Sequence, residues 1–410
     1  MEKNIWIFNQ HNMPPEYGHL NRHYNFAKYL KKRGYNPVVF VGSSLHNTDM
    51  QIVENGKVCT EYKHCDFPYV FVRTCHYHGS MKKRIISMIQ YYHRLFKATK
   101  NYETPDVIIG SSAHPLAALA AIKLSKKYQC KNIVEIRDLW PESLVEYGII
   151  KRNGYLSKIL YNCEKNLYKK ADQLVFTMEG GKDYIANQGW QDDIDLSKVH
   201  HINNGIDLEE YEYNKRNVIY HDADLEDTDT FKVVYIGSIR KVNNLGMIVD
   251  VAKGLQNTNS KNIKILIYGD GNEREALKKR CTEEKIENIV FKGSVEKKYI
   301  PYILSKCDLN LMHGASIKLA KYGMSLNKSF DYLASGHPIL SDIDAHYDYI
   351  INNNAGKKVE CSSENIAEGI LSFLNLSKDE YNSICENARK TALKYDFKYL
   401  TDQLIEIIEK

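Results

Sequence analysis

The chain contains 410 residues, enough for two or more domains with sizeable cores, and its composition is that of an ordinary folded protein. A net charge of +5 suits an acidic ligand or a membrane surface, but it is too small to favour nucleic acid as a partner. The nine cysteines show no Cys-x-x-Cys spacing, which favours free thiols over a disulfide framework or a zinc site. The first residues lack a signal-peptide pattern and no apolar run could span a bilayer, so we expect a cytoplasmic protein.

Short apolar runs rich in β-branched residues alternate with helical patterns along the whole chain. The predicted strands of the first half are Ile5–Asn9, Pro37–Val41, Tyr69–Arg73, Val107–Gly110, Ile133–Ile136 and Leu174–Thr177. Those of the second half are Val233–Gly237, Ile263–Tyr268, Ile289–Lys292, Leu309–Met312 and Pro338–Ser341. This alternation is typical of α/β proteins with parallel, doubly wound sheets.

Two such runs predict two tandem Rossmann-like domains. We place the N-terminal domain at residues 1–205, the C-terminal domain at 206–393, and a closing helix that crosses back to the first domain at 394–410. Ligands of open α/β sheets bind at the carboxyl ends of the strands. We therefore expect the site in a deep cleft between the two domains, and residues that follow strands are the candidates.

The first strand is followed by a long loop, residues 9–23, which Pro14 and Pro15 stiffen ahead of Gly18. Gly18 would allow the backbone to approach a ligand closely. Arg22, at the start of the next helix, could bind a phosphate or an acceptor. The alternative interpretation is a long loop with a surface arginine.

His114 follows the strand that ends at Gly110, and Pro115 occupies a position typical of a helix start. A histidine at the carboxyl end of a strand could hydrogen-bond a sugar hydroxyl or a leaving phosphate. A structural histidine is the alternative.

The segment that follows the next strand contains two acids, Asp138 and Glu142, together with Arg137. The acids could bind the hydroxyl groups of an acceptor. In the alternative interpretation, Arg137 pairs with one of them and the buried ion pair holds the loop.

In the second half, Gly237 ends a strand, and Arg240 and Lys241 follow it. A glycine that permits close approach and cations that bind oxygen atoms are the parts of a diphosphate clamp. The glycine turn Gly269-Asp-Gly271 precedes another helix, but such a pattern alone is a weak signal.

Residues 321–340 predict a loop, a short helix, a Gly-Pro break and a strand. Asn327 and Lys328 open this helix, where free backbone N–H groups and the lysine charge favour an anion. Asp331 lies one turn later and could accept hydrogen bonds from a ribose diol. The alternative is an ordinary capped helix.

Residues 79–100 form an amphipathic helical pattern with a basic start. Its apolar stripe contains Met81, Ile85, Met88, Ile89, Tyr92, Leu95 and Phe96. Lys82, Lys83 and Arg84 oppose the helix dipole, which indicates an anionic partner such as a phospholipid surface. A core-facing helix with a solvated basic end is the alternative.

Together these segments resemble the family 4 glycosyltransferases of the GT-B fold, and among them the N-acetyl-L-fucosamine transferase subgroup of bacterial surface-polysaccharide (O-antigen or capsule) assembly. The resemblance covers nearly the whole chain, and the order and spacing of its motifs carry it. The motifs are Pro14-Pro-Glu-Tyr-Gly18 with Arg22-His-Tyr24, Ser111-Ser-Ala-His-Pro-Leu-Ala-Ala-Leu119, Arg137-Asp-Leu-Trp-Pro-Glu142, Asn203-Asn-Gly-Ile-Asp207, Gly269-Asp-Gly271 and Tyr322-Gly-Met-Ser-Leu-Asn-Lys-Ser-Phe-Asp-Tyr-Leu-Ala-Ser-Gly-His-Pro338.

The resemblance implies a retaining, metal-independent transfer of a sugar, an N-acetylated hexosamine, from a UDP-sugar, without a cofactor. It implies catalytic roles for His114, Arg240 and Lys328. The implied donor-binding residues are Gly18, Gly237, Arg240, Lys241, Asn327, Lys328 and Asp331, and the implied acceptor-binding residues are Glu16, Arg22, Asp138 and Glu142. The implied partners are the nucleotide sugar and an undecaprenyl-diphosphate-linked saccharide acceptor. Residues 79–100 would contact the inner face of the plasma membrane. Whether the protein forms a homo-oligomer is left open.

The chain departs from the wider family at one acidic position. The family carries two glutamates separated by seven residues, and here Gly323 and Asp331 occupy these positions. Arg240 and Lys241 also compete for one phosphate role, because the usual arginine-to-lysine spacing is not kept. Two alternatives follow: a GT-B nucleotide-sugar epimerase, and a non-catalytic nucleotide-binding scaffold.

Overall fold

The computed structural model describes residues 2–18, 20–45, 50–77, 79–258, 262–314 and 318–410. The chain divides into two compact units. The N-terminal unit contains Met1–Asn203 together with Phe397–Lys410, and the C-terminal unit contains Asn204–Asp396.

The N-terminal unit is built on an eight-stranded sheet with the order β3-β4-β2-β1-β5-β6-β7-β8. Its strands are β1 (Asn4–Phe8), β2 (Asn36–Gly42), β3 (Cys59–Tyr62), β4 (Tyr69–Val72), β5 (Val107–Ser111), β6 (Lys131–Ile136), β7 (Gln173–Phe176) and β8 (Val199–His201). Its helices are α1 (Arg22–Lys32), α2 (Met81–Ala98), α3 (Pro115–Tyr128), α4 (Glu142–Glu146), α5 (Tyr155–Lys170) and α6 (Gly181–Asn187). All pairs are parallel except β3 with β4, which is antiparallel.

Alternation along β1 explains the layers of this unit, because successive side chains of a strand point to opposite faces. Ile5 and Ile7 belong to the core on one face, while Trp6 and Phe8 belong to the core on the other. The last helix of the chain packs on the first of these faces, where the rings of Phe26 and Phe397 lie 5.4 Å apart.

The C-terminal unit is built on a six-stranded parallel sheet with the order β11-β10-β9-β12-β13-β14. Its strands are β9 (Phe231–Ile236), β10 (Ile263–Tyr268), β11 (Ile289–Gly293), β12 (Leu309–Met312), β13 (Ile339–Ser341) and β14 (Gly356–Lys358). Its helices are α7 (Leu208–Asn217), α8 (Ala223–Glu226), α9 (Leu245–Gln256), α10 (Arg274–Glu283), α11 (Ile300–Ser305), α12 (Asn327–Ser335), α13 (Ser363–Leu374) and α14 (Lys378–Leu393). The closing helix α15 (Phe397–Glu409) belongs to the N-terminal unit.

The strands β3, β8 and β14 have no counterpart among the predicted strands. Each is only three or four residues long. Buried residues are few in all three, so they carry little of the apolar signal that marks a strand in a sequence. They lie at the edges of the two sheets, where one neighbour is enough to form them.

The apolar residues of helix α2 are partly buried and partly exposed. Ser87, Met88, Tyr91 and Leu95 are buried, whereas Met81, Ile85, Ile86 and Ile89 are exposed. Its C-terminal half therefore packs on the core, and its N-terminal half leaves part of the predicted apolar stripe uncovered. Among the described residues, the helices are all too short or too polar to cross a bilayer.

Candidate active site

In the C-terminal unit, Lys328 lies in the first turn of α12, beside the end of β9. Its Nζ donates a hydrogen bond to the carbonyl oxygen of His313 at 3.1 Å and lies 4.2 Å from the centre of the Tyr235 ring. Burial lowers the pKa of Lys328 to about 8, and the nearby Asp342 opposes this shift. A half-buried ammonium group at a helix start is well suited to bind a phosphate oxygen.

A tyrosine of α12, Tyr332, holds this helix in place. The first turn of the helix can receive a ligand. The Tyr332 hydroxyl accepts a hydrogen bond from the backbone N–H of Ile236 at 2.8 Å, which fixes the helix against the end of β9. Leu326 precedes the helix in an extended conformation and provides no side-chain cap. Backbone N–H groups of the first turn are therefore available to an anion.

A buried pair, His313 and Asp342, lies beside Lys328. The His313 Nδ1 and the Asp342 Oδ2 are 2.5 Å apart, and both side chains are fully buried. The other ring nitrogen, Nε2, contacts the carbonyl oxygen of Asn244 at 3.1 Å. Sequence reasoning missed this pair, although His313 directly follows β12 and Asp342 directly follows β13, which is the position that the strand-end rule selects.

Three glycines bring the loops after β9 and β10 into contact. The Gly237 N–H donates to Tyr268 O at 3.0 Å, and the Ile239 N–H donates to Asp270 O at 2.9 Å. A Cβ on Gly269 would lie 1.8 Å from the Gly237 carbonyl oxygen, and one on Gly271 would lie 2.1 Å from that of Ile239. The glycine pattern that was a weak signal in the sequence therefore allows two backbones to approach each other closely.

The other predicted donor residues of the C-terminal unit lie on the loop after β9 and on α12. Arg240 and Lys241 are exposed on the loop after β9. Asn327 is exposed, and its Oδ1 accepts a hydrogen bond from Asn204 at 3.2 Å. Asp331 is half-buried on α12, and burial raises the pKa of its carboxyl group to about 6. Asn327 and Asp331 thus share α12 with Lys328.

In the N-terminal unit, His114 lies at the start of α3, just after β5. It is fully buried, and neither ring nitrogen has a hydrogen-bond partner within the described residues. Burial lowers the pKa of His114 to about 3, and the positive charge of Arg84 adds to the shift. The ring is therefore neutral at physiological pH, with one N–H donor and one nitrogen acceptor available to a ligand.

Arg22 is a structural residue of this unit, which corrects its predicted role in acceptor binding. Its side chain is almost completely buried, and its Nε donates to the Glu135 carboxylate at 2.8 Å. Its other nitrogens donate to the carbonyl oxygens of Ile202 and Asn203. The Glu135 carboxylate also lies 3.0 Å from His23 Nε2. Because these contacts occupy the guanidinium group, it is not presented to an acceptor.

Glu142 is also held internally, which corrects its predicted role as an acceptor ligand. Its carboxylate accepts hydrogen bonds from Arg152, from the Tyr161 hydroxyl at 2.5 Å and from Gln188 at 3.3 Å. Glu142 therefore has an internal ion pair, but its cation is the half-exposed Arg152 and not Arg137. Asp138 is exposed and stays a candidate.

Glu16 and Gly18 lie in the loop after β1. Glu16 is exposed within a single 3-10 turn, Pro15–Tyr17. Gly18 follows with φ of +154°, and a Cβ there would lie 2.9 Å from the sulfur of Met13. Glycine is thus favoured at position 18 by packing within the loop, whatever its role toward a ligand.

The described residues include a group that could hold a metal ion, formed by His313, Asp342 and Cys361. Their potential ligand atoms lie within 4.8 Å of one another. Both nitrogens of His313 are already engaged, one by Asp342 and one by a backbone carbonyl. The arrangement is that of a hydrogen-bonded pair with a cysteine nearby, and it gives no positive support for a metal site.

Comparisons with known proteins agree with this architecture. A family model for glycosyltransferase family 4 matches residues 21–210, and a model for group 1 glycosyl transferases matches residues 219–391. No curated protein matches the sequence significantly. The two models span both units, and the chain therefore belongs to the family 4 type of GT-B glycosyltransferases.

Solved structures confirm the predicted fold class, two Rossmann-like α/β domains of the GT-B type. HepE of Anabaena, in complex with UDP and glucose, aligns over 100% of both chains with 14% identity and a TM-score of 0.67. A glycosyltransferase from Rickettsia africae aligns over 100% of this chain and 98% of its own with 15% identity and a TM-score of 0.64. WaaG, a glycosyltransferase involved in lipopolysaccharide biosynthesis, covers 98% of this chain and 99% of its own with 15% identity and a TM-score of 0.62.

Proposed function

We propose that this glycosyltransferase moves a sugar from a UDP-sugar to a lipid-linked saccharide during bacterial cell-surface polysaccharide synthesis, with retention of configuration. The donor sugar is an N-acetylated hexosamine, as in the N-acetyl-L-fucosamine transferases that the sequence motifs resemble. The acceptor is linked to undecaprenyl diphosphate. UDP as the donor nucleotide is supported by HepE, a protein of the same fold whose structure contains UDP.

The observation that carries the proposal is the placement of Lys328. Its ammonium group is half-buried, lies at the start of α12, and is held by a backbone carbonyl rather than by a carboxylate. A cation that is hydrogen-bonded to a carbonyl oxygen, next to the backbone N–H groups of a helix start, can stabilise the negative charge that develops on a leaving diphosphate. Arg240 and Lys241 are exposed on the loop after β9 and would add charge to the same group.

The remaining residues have distinct roles in this proposal. Asp331 binds the ribose diol of the donor, and Gly237 lets the backbone approach the diphosphate. The neutral His114 hydrogen-bonds the transferred sugar or the β-phosphate. The acceptor hydroxyl attacks on the face from which the diphosphate leaves, and the departing phosphate takes its proton. The protein cations meet the charge on the diphosphate, so the proposed reaction needs neither a metal ion nor a protein nucleophile.

The exposed half of α2 supports a membrane-bound acceptor. Met81, Ile85 and Ile89 are 63%, 51% and 45% exposed and lie one turn apart, with Lys82 and Lys83 beside them. Apolar side chains next to lysines are typical of helices that lie in the headgroup region of an anionic membrane. We therefore place the protein on the inner face of the plasma membrane, attached through residues 79–100.

The first experiment is the thermal stability of the purified protein with UDP, GDP, ADP, dTDP and their sugars. A ligand that binds only the folded state raises the melting temperature by mass action. A selective rise with UDP compounds would support the proposal, and the sugar with the largest effect would nominate the donor. If no nucleotide raises the melting temperature, the proposed donor site is wrong and a scaffold role gains support.

One observation favours a second candidate, a GT-B nucleotide-sugar epimerase. The buried His313–Asp342 pair beside Lys328 is the kind of acid–base group that rearrangement of a bound sugar would use. An epimerase releases a rearranged sugar without any acceptor. NMR of a UDP-sugar incubated with the protein alone would separate the two functions, because new sugar signals without an acceptor would favour the epimerase.

A further inference from the structure

Arg84 differs from the other two basic residues at the start of α2. Lys82 and Lys83 are exposed, whereas Arg84 is half-buried. The Nε of Arg84 is buried and has no hydrogen-bond partner within the described residues. A buried donor without a partner is unfavourable unless a ligand supplies an acceptor.

The surroundings of Arg84 connect it with the candidate active site of the N-terminal unit. Its positive charge acts on the imidazole of His114 and on the carboxylate of Asp138. Arg137 acts on the same carboxylate.

Other polar atoms near the carboxyl ends of β1 and β5 are buried and unpartnered. They include both ring nitrogens of His114 and the Oε1 of Gln10 within the described chain. The Gln10 Nε2 donates to the Ser87 hydroxyl at 2.7 Å, and Ser87 lies three residues after Arg84 on α2. This bond holds α2 against the loop after β1, and one turn further along α2 the ring of Tyr91 lies 6.1 Å from that of His114.

The exposed apolar strip of α2 begins one helical turn before Arg84. Met81 precedes it by three residues, and Ile85 and Ile89 continue the strip over the next two turns. A half-buried cation thus shares α2 with a solvent-exposed apolar surface. A polyprenyl phosphate has the complementary arrangement, an anionic group at the end of an apolar chain.

We propose that Arg84 binds the phosphate of the lipid-linked acceptor, with the Met81–Ile85–Ile89 strip as the surface for the first prenyl units. This inference rests on the proposed function, because it names the part of the acceptor that the N-terminal unit binds. Arg84 supplies a planar guanidinium group that can hold two phosphate oxygens at once.

The test measures binding of farnesyl diphosphate, a soluble polyprenyl diphosphate, by isothermal titration calorimetry in the presence of saturating UDP, which fills the donor site. We expect Arg84→Met to weaken binding by about tenfold or more. The matched control is Lys83→Met, one residue earlier and exposed, which should change binding by less than about twofold. Arg84→Lys should fall between wild type and Arg84→Met, because lysine keeps the charge and loses the two-point contact.

Farnesol and anionic vesicles separate the phosphate site from general apolar or headgroup binding. Farnesol should bind wild type and Arg84→Met equally weakly. Equal losses of farnesyl diphosphate binding in the Arg84 and Lys83 variants would overturn the inference in favour of a diffuse basic surface, as would a larger effect on vesicle binding than on farnesyl diphosphate.

Failure of this inference is distinguishable from failure of the proposed function. In the proposed function UDP is bound by the C-terminal unit, so binding of UDP to the unsubstituted protein tests the proposed function separately. If wild type binds UDP but not farnesyl diphosphate, the acceptor inference is overturned and the donor site stands. If UDP does not bind, the proposed function itself fails. Melting temperatures of the variants show whether they are folded, and Arg84→Lys provides the test if Arg84→Met is not.

Discussion

His313 in the C-terminal unit and His114 in the N-terminal unit are both almost fully buried just beyond a strand, and their surroundings differ. His313 is held by Asp342 on one side and by a backbone carbonyl on the other. Neither nitrogen of His114 has a hydrogen-bond partner within the described residues. The ring of His313 is thus held by groups of the protein, whereas the ring of His114 leaves both nitrogens for a ligand to satisfy.

The difference fits the two kinds of substrate in the proposed reaction. The negative charges of a nucleotide diphosphate are concentrated on its phosphate groups. Hydrogen-bond donors and cations that are already in position can bind them without reorganisation of the protein. An acceptor that carries an apolar chain must be bound from a membrane, and groups that are unpartnered beforehand gain hydrogen bonds when it arrives. Five predictions test this comparison, beginning with the largest expected effect.

Replacement of Lys328 by alanine should lower kcat by about 100-fold or more, because the diphosphate loses the cation at the start of α12. UDP release from the donor in the presence of acceptor is the measurement. Lys306→Ala is the matched control, since Lys306 is exposed and precedes β12 at the opposite end of the sheet. Unchanged turnover in the Lys328 variant would refute the assignment of the donor site.

Replacement of His313 by leucine should destabilise the protein by about 3 kcal/mol, because it leaves the buried Asp342 carboxylate without its partner. The free energy of unfolding from urea titration checks this. The double variant His313→Leu with Asp342→Leu should recover part of the loss, since no charge is left unpaired. A stability equal to wild type in the single variant would show that the pair is not formed.

The same substitution at His114 should leave stability nearly unchanged, because leucine is similar in volume and no internal hydrogen bond is lost. Turnover should nevertheless fall by about 100-fold, because a hydrogen bond to the transferred sugar or the leaving phosphate disappears. Unfolding and kinetics measured on one preparation test both statements. A large loss of stability with unchanged turnover would make His114 a structural residue and would remove the contrast with His313.

UDP affinity should decrease as the pH rises through about 8, where the free Lys328 loses its proton. Burial lowers the pKa of this ammonium group, so the charged form that binds phosphate is complete only below that value. The decrease should approach about tenfold per pH unit above the pKa. Lys328→Arg keeps its charge and should abolish the decrease between pH 7 and 9.5, whereas a parallel decrease in this variant would assign it to another group.

Replacement of Asp331 by asparagine should weaken UDP binding by about 1 kcal/mol through the lost charge-assisted hydrogen bonds to the ribose. Because burial raises the pKa of Asp331 to about 6, the wild-type advantage should also fade as the pH drops below that value. Titration with 2′,3′-dideoxy-UDP provides the internal control, since this ligand has no diol. If the asparagine variant loses the same affinity for both ligands, Asp331 does not bind the ribose.

Several features of the C-terminal unit could be predicted from the sequence because they are local. The first turn of α12 with Lys328, the strand before Gly237 and the glycine break after Ser335 all follow from neighbouring residues. The His313–Asp342 pair could have been proposed from the strand-end rule, since each residue directly follows a strand. That the two meet depends on the pairing of β12 with β13, which joins residues almost thirty positions apart.

The two wrong predictions in the N-terminal unit concern side chains whose partners lie outside the local motif. Arg22 looked available from its position at a helix start, but Glu135 lies 113 residues further along the chain and binds it. Glu142 looked like a ligand, but Arg152 and Tyr161 reach it from the following turn and helix α5. The sequence alone does not distinguish a charged side chain that pairs with another residue of the chain from one that binds a substrate.

The sequence by itself determined the alternation of strands and helices, the two-domain α/β class and the residues that open the loops at the strand ends. Periodicity and turn residues act over a few positions, so these features are readable without coordinates. Only the tertiary structure decided which polar groups are satisfied internally and which are left for a ligand, because burial and partnership depend on side chains from distant segments. That distinction makes His313 part of the framework and singles out His114, Arg84 and Lys328 as the groups from which the chemistry is inferred.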